Sequence, residues 1–243
     1  TPEHRGLLES LAGSFTQYAF AFVEDRAHEL REVDHDGAVV LSKRARKLYE
    51  RARRYALRGL EPSHPGFERA LRDPPREAMA MLEPADVPLV YWLAASWGLW
   101  IGVSKDDPET LADYPILRPL VARALELDET WKDGALHELA LSVEASFPGG
   151  KMSVARAHFA RAVELSRGLR AGTFVALAES VCVKEQNVRE FRELLARARA
   201  IDVDANPDAR LANVIMQRRA ARLLASAGDL FLDAGEEAPA SER

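Results

Sequence analysis

The sequence lacks the marks of a disulfide-bonded domain and of a phosphate-binding enzyme. Its single cysteine, Cys182, cannot form an internal disulfide, which removes a common marker of secreted proteins but does not exclude export. Because Cys182 lies in an apolar stretch, we expect a buried and inert thiol. The Gly149-Gly150 pair follows no strand pattern, so we expect no phosphate-binding loop there.

The sequence also lacks an apolar run long enough for a membrane span, which needs roughly 20 residues. The longest run without a charge, residues 87–104, is closed by Asp86 and Lys105 and holds three of the four tryptophans. A helix that is apolar all round belongs in the interior of a protein or at an interface. We therefore expect a buried helix over residues 86–104.

An excess of positive charge is absent as well. The net charge is −5 and the isoelectric point is about 5.8, which does not favour nucleic acid as a partner. The strongest basic segment, residues 43–58, holds eight lysines or arginines against one acid, Glu50. It can form a surface for an acidic partner or the solvated face of an amphipathic helix. An apolar stripe at helical spacing favours the solvated face; the stripe consists of Leu41, Ala45, Leu48, Ala52, Tyr55 and Ala56.

Helical periodicity is present along nearly the whole chain, whereas strand alternation and hairpin signals are absent. The pattern predicts an all-α protein with one domain over residues 1–232 and a disordered tail over residues 233–243. Polar-proline pairs such as Asp107-Pro108 and Asn206-Pro207 mark helix starts. The predicted helices are 3–31, 38–59, 64–72, 75–82, 86–104, 107–127, 130–146, 151–166, 171–183, 187–201 and 206–232.

A degenerate repeat is visible in four arginine-alanine segments that begin at Arg51, Arg123, Arg161 and Arg197. The spacings between them are 72, 38 and 36 residues, so the first gap is twice the last. A period of 34 to 40 residues in a helical chain is typical of stacked helix–turn–helix units, such as tetratricopeptide (TPR) repeats. We expect a TPR-like right-handed superhelix whose concave face is lined by the first helix of each pair.

Motifs for catalysis or metal binding are not found. His137-Glu138 begins a zinc-protease pattern that fails, because Leu141 stands where the second histidine is required. Asp34-His35-Asp36 lies where two predicted helices meet, so capping and solvation explain it better than a metal site. We expect no catalytic residues, no metal and no cofactor.

Polar interruptions of the predicted first helices are the best candidates for a ligand or partner site. Glu179 interrupts an apolar run, where it must find a helix–helix ion pair or face a groove, because unpaired burial is costly. On the tryptophan helix, an edge facing a cavity would carry indole N–H groups that need acceptors. The predicted site residues are Trp92, Ser96, Trp97, Lys105, His137, Glu144, Glu179, Asn213 and Gln217.

Several phrases in the right order resemble the T component of TRAP transporters, the TatT family. They are YWLAASWGLWIGVSKDDPETLADYPILRPLVARALELDETWKDGALHELALSVEAS at 91–146, PGGKMSVARAHFARAVELSRG at 148–168 and VALAESVCVKEQNVREFRELLARARAID at 175–202. A further similar stretch covers residues 210–226. The resemblance extends over most of the chain from Tyr18 onward and is densest from 88 to 232.

The resemblance implies a periplasmic helical lipoprotein that associates with the substrate-binding P component of a tripartite transporter. It also implies self-assembly, as a trimer, around a cavity or pore used by a small hydrophobic ligand. A lipobox cysteine would lie before Thr1, so the lipid anchor belongs to the full-length precursor. The resemblance carries no catalytic residues.

Two other hypotheses remain open from the residues alone. A cytoplasmic TPR adaptor would clamp peptide carboxylates with asparagine and lysine on first helices, for which Asn213 is the single candidate. An enzyme would use His137 with Glu144 or Glu179, since residues 137 and 144 lie two turns apart on one helix face. No oxyanion donor or metal motif accompanies these residues.

Overall fold

A computed structural model describes residues 4–72, 75–146 and 148–232. Within these ranges the chain is helical and has no strand, which confirms the all-α prediction. The chain divides into two compact units, Thr1–Trp131 and Lys132–Arg243. One domain over 1–232 therefore stays a prediction, and the predicted tail at 233–243 lies outside the described residues.

Unit 1 is built around one long helix, α3 (His35–Leu60). Its helices are α1 (Arg5–Tyr18, continued by a π-helical turn, Ala19–Glu24), α2 (Asp25–Leu30), α3 (His35–Leu60), α4 (Phe67–Ala70), α5 (Pro75–Met81), α6 (Val87–Gly102), α7 (Pro108–Leu111) and α8 (Tyr114–Leu127). Helix α3 packs against both α1 and α6, and α6 also contacts α8. The core of unit 1 lies among these four helices.

Two glycines allow the close helix approaches in unit 1. A Cβ at Gly13 of α1 would lie 2.9 Å from the Trp92 ring, and one at Gly59 of α3 would lie 2.8 Å from Leu89. Larger residues at these positions would push α6 away from both neighbours. Glycine therefore brings the tryptophan helix into contact with α1 and α3.

Unit 2 is a succession of helices joined by short turns. Its helices are α9 (Ala135–Ser146), α10 (Met152–Leu165), α11 (Ala171–Leu177, continued by a π-helical turn, Ala178–Cys182), α12 (Val188–Ala200), α13 (Arg210–Ala225) and α14 (Ala227–Leu230). Neighbours in sequence pack on each other, and α11 contacts both α9 and α13. The core carries an edge-to-face pair of Phe191 and Phe231, with ring centroids 4.9 Å apart.

Helix starts and stops follow local chemistry. Asp34 accepts a hydrogen bond from the Gly37 amide at the start of α3, so its interpretation as a cap is confirmed. Asp107 caps α7 in the same way. The predicted helix 130–146 begins only at Ala135, because Lys132, Asp133 and Gly134 have φ angles of 45°, 53° and 85°.

Cys182 is buried in the core of unit 2, as expected. Burial raises the pKa of its thiol to about 12, and the neighbouring Glu190 carboxylate acts in the same direction. A thiol with so high a pKa is not a nucleophile at neutral pH.

Candidate functional site

Helix α6 is a buried helix, as its composition predicts. Pro88 stands in its first turn, where the missing amide hydrogen is not needed. One side of α6 is fully buried and the other is half-buried, with no exposed residue before Gly102. Among the residues that the structure describes, no helix has the length and apolarity required to cross a membrane.

The predicted residues on α6 make contacts inside unit 1. Trp92 is half-buried and meets Tyr91 edge-on, at 4.9 Å between ring centroids. Ser96 is fully buried and donates to the Leu93 carbonyl, 3.1 Å away. Trp97 is also buried, and its indole N–H donates to Asp113 Oδ2 at 3.1 Å. Lys105, beyond the end of α6, is exposed.

A buried arginine lies beside this part of α6. Arg53 of α3 is only 9% exposed, and its guanidinium carbon lies 4.7 Å from the centre of the Trp97 ring and 4.8 Å from that of Trp100. The faces of the two indoles attract the cation. Burial lowers the pKa of Arg53, but a guanidinium stays charged at neutral pH.

Hydrogen-bond donors at this place have no acceptor. Arg53 Nε and Nη1 and Trp100 Nε1 are buried and have no hydrogen-bond partner within residues 4–72, 75–146 and 148–232. A buried donor without a partner costs about 1–3 kcal/mol. Since most buried polar groups in native proteins are paired, these unmatched donors point to a missing acceptor.

A cleft of about 220 Å³ opens at Arg53. We call it the Arg53 cleft; it is lined by Arg53, Arg72, Trp100, Asp107, Glu109, Thr110 and Asp113. The Asp107 side chain is already engaged by Arg46 at 2.5 Å and by the Thr110 hydroxyl at 2.9 Å. The Thr110 hydroxyl holds the pKa of Asp107 below its usual value. Asp107 therefore remains an anion bound to its own partners.

A second, larger cleft of about 500 Å³ also includes Arg72. Its other lining residues are Leu57, Arg58, Glu61, Gly66, Glu68 and Arg69. Glu61 is occupied there, because it accepts a hydrogen bond from the Gly66 amide at 2.5 Å. The lining is mainly charged, and Leu57 is its one apolar side chain.

Two of the predicted residues in unit 2 belong to a polar cluster between α9 and α10. His137 Nδ1 lies 2.9 Å from His158 Nδ1, so one imidazole must donate and the other accept. Glu144 is 5% exposed and accepts from the Lys151 amide at 2.9 Å. Burial, and secondarily His137, lowers the pKa of His158, while Glu144 opposes this shift.

The three remaining predicted residues connect helices of unit 2. Glu179 forms a two-pronged ion pair with Arg219, at 2.7 and 2.9 Å, which is the first of its two predicted alternatives. Asn213 accepts from the Ala171 amide and donates to the Leu169 carbonyl. Gln217 donates to carbonyls at the end of α12. Both ends of the Asn213 amide are thus engaged, which leaves it unsuited to clamp a peptide carboxylate.

Nothing in the described parts of the chain supports catalysis by these residues. No group of three or more histidine, cysteine, aspartate or glutamate side chains there is placed to hold a metal ion. His137 lies beside His158, and the Glu179 carboxylate forms an ion pair with Arg219.

Two residues of interest were missed in the sequence. The basic segment 43–58 was expected to present its charges to solvent, but Arg53 is buried on the apolar side of α3 with Tyr49, Ala52 and Ala56. Its position four residues after Tyr49 was the available signal. His158 carried no signal of its own, since only the packing of α10 on α9 brings it to His137.

Several exposed apolar side chains lie between residues 18 and 40 of unit 1. Tyr18 and Phe22 lie one helical turn apart with ring centroids 5.8 Å apart, and they are 44% and 56% exposed. Val33 and Val40, before and within α3, are 78% and 64% exposed. Isolated exposed apolar residues are common, but an exposed aromatic pair is typical of an interaction surface.

The chain matches one protein-family model and is similar to one further protein. A family model described as the TRAP transporter T-component matches residues 1–231. A protein of Treponema pallidum (strain Nichols), described only as uncharacterized, is 29% identical over 239 residues, which cover 96% of this chain and 74% of that protein.

Proposed function

The chain belongs to the TRAP transporter T-component family, and from this premise we propose that it is a non-catalytic periplasmic accessory component that binds the substrate-binding P component. In this proposal, energy coupling belongs to another subunit of the transporter. The match over residues 1–231 is the observation that carries the proposal.

Unit 2 supports a scaffold of TPR-like helix pairs. In such a stack the first helices of successive pairs lie side by side, and α11 contacts α9 on one side and α13 on the other. Polar bonds join these helices: Thr173 of α11 donates to Glu138 of α9, and Arg219 of α13 pairs with Glu179 of α11. Glu179 and Asn213 are then residues that hold the stack together.

For the docking surface, we propose the exposed aromatic pair of Tyr18 and Phe22. Aromatic residues are enriched at protein interfaces, because they bury a large area with few rotatable bonds. Arg44 lies beside the pair, with its guanidinium 3.5 Å from the Tyr18 hydroxyl. The occupant to which we commit is the P component, with an acidic rim facing Arg44.

Self-association and a small hydrophobic ligand belong to the same proposal, on the strength of the family resemblance. The surface of the Arg53 cleft is mostly polar, so we do not assign that cleft to a hydrophobic ligand. Attachment to the membrane by a lipid anchor is part of the same proposal, on the strength of the family resemblance.

The test is light scattering on the purified chain, alone and mixed with the substrate-binding protein encoded beside it. We expect an oligomer that forms a stable complex with that protein. Phe22→Asp should abolish the complex without unfolding the chain, because Phe22 is exposed. Leu211→Asp is the matched control, since Leu211 is 59% exposed on α13 in unit 2.

If the wild-type chain forms no complex with the substrate-binding protein, the partner assignment is wrong. Equal loss of binding in Phe22→Asp and Leu211→Asp would contradict the docking surface while leaving the partner in place.

A further inference from the structure

We propose that the Arg53 cleft binds the carboxylate group of a small organic acid. Three unmatched buried donor atoms carry this proposal. They are Nε and Nη1 of Arg53, a residue only 9% exposed, and the indole N–H of Trp100, none of which has a hydrogen-bond partner in the described residues. Both residues line the cleft. All the missing partners are acceptors, so the ligand must be rich in acceptor atoms.

The acids that line the cleft do not supply these acceptors to Arg53. Asp107 is held by Arg46 and Thr110, and Asp113 accepts from Trp97. Asp113 is the strongest favourable charge near Arg53, but no hydrogen bond joins the two side chains in the part of the chain described. The guanidinium therefore has charge compensation nearby without a directional partner.

A second cation makes the cleft suited to an anion. Arg72 is exposed on the rim of the same cleft, and its charge repels that of Arg53. A carboxylate between the two guanidinium groups would relieve this repulsion. The planar guanidinium matches the geometry of a carboxylate, with two parallel hydrogen bonds.

Volume and wall chemistry restrict the rest of the ligand. A cleft of about 220 Å³ holds about seven water-sized groups at roughly 30 Å³ each. The Trp100 ring offers an apolar wall, whereas Glu109 and Asp113 would repel a second carboxylate. The ligand class is therefore a small monocarboxylate. A simple carboxylic acid and an α-amino acid both carry one carboxylate. The ammonium group of the amino acid would lie near Glu109 and Asp113.

Binding at this site is independent of the proposed transport role, and it can be measured on the isolated chain. The probes are sodium propionate, L-alanine and inorganic phosphate, each titrated against tryptophan fluorescence and thermal unfolding. We expect saturable binding of propionate, alanine or both, with a raised unfolding temperature. Tighter binding of alanine would identify the amino acid as the source of the carboxylate.

Variants assign the response to the cleft. Arg53→Gln should weaken binding tenfold or more, and Arg72→Gln several-fold, since Arg72 lies on the rim. Arg54→Gln is the matched control, because Arg54 is the next residue of α3 and is exposed; its affinity should equal that of the wild type. Should Arg53→Gln fail to fold, Arg72→Gln and Trp100→Phe, which removes only the indole donor, still test the site.

The assignment is overturned if none of the probes gives a saturable response. It is also overturned if phosphate binds and both carboxylates do not, or if Arg72→Gln and Trp100→Phe bind propionate and alanine as the wild type does.

Discussion

Two arginines, one in each unit, are equally buried but differ in whether a carboxylate is hydrogen-bonded to them. Arg53 in unit 1 and Arg219 in unit 2 are both 9% exposed. Arg219 donates to Glu179 from Nε and Nη2, and only its Nη1 is unmatched in the described residues. Arg53 lies over two indole rings, and its Nε and Nη1 are both unmatched there. The buried charge of Arg219 connects two helices, whereas that of Arg53 is available to a ligand.

Removing Glu179 should have the largest effect on stability. Glu179→Ala leaves the Arg219 guanidinium buried without its carboxylate, which we expect to lower the free energy of unfolding by about 2–3 kcal/mol. Urea denaturation measures the change. Glu164→Ala is the control, because that carboxylate is 69% exposed in its pair with Arg161 and should contribute less than about 0.5 kcal/mol. Similar losses in the two variants would contradict the distinction.

Asn213 tests whether unit 2 depends on matched polar contacts in general. Asn213→Ala leaves the Ala171 amide and the Leu169 carbonyl without their partner, at a cost of about 2 kcal/mol. Asn206→Ala, whose amide makes one exposed contact with Asp133, should change stability by less than about 0.5 kcal/mol. The same denaturation experiment compares them, and a neutral Asn213→Ala would show that water replaces the lost contacts.

The His137–His158 pair predicts a pH dependence. The pKa of His158 is lowered by burial first, so below the usual histidine pKa of about 6.5 the unfolded chain binds more protons than the folded one. The free energy of unfolding should therefore decrease as pH falls through about 6.5. Thermal unfolding at a series of pH values measures this decrease.

A substitution isolates the contribution of His158 from that of the carboxylates. His158→Gln should lose less stability than the wild type on acidification, whereas His35→Gln, at an exposed helix start, should follow the wild type. Identical pH profiles for all three proteins would contradict a role for the pair.

Arg53 should show the smallest effect on stability. Arg53→Met keeps the length of the side chain and removes a buried charge that has no hydrogen-bond partner in the described residues. Because the loss of the contacts with Trp97 and Trp100 opposes the relief of desolvation, we expect a change within about 1 kcal/mol of zero. A loss as large as that of Glu179→Ala, measured in urea, would mean that Arg53 is structural.

Helix existence could be read from the sequence, because it depends on local periodicity and on capping groups. The predicted helix 171–183 corresponds to α11 with its π-helical turn, and 187–201 to α12. Two boundaries failed for different reasons: Pro115 in the first turn of α8 was an available signal that was not used, whereas the positive φ angles of residues 132–134 had no proline signal. The predicted helix 107–127 is divided between Leu111 and Tyr114, and residues 130–134 precede α9.

The sequence by itself determined that this chain is helical, that α6 is buried, and which family it resembles. Which polar residue meets which was decided only in the tertiary structure. Arg53 and Arg54 are adjacent and chemically identical, yet one is buried and the other exposed, because a helix rotates by about 100° per residue. Glu179 finds Arg219 forty residues away, and such partners are set by the packing of distant helices, which no local pattern encodes.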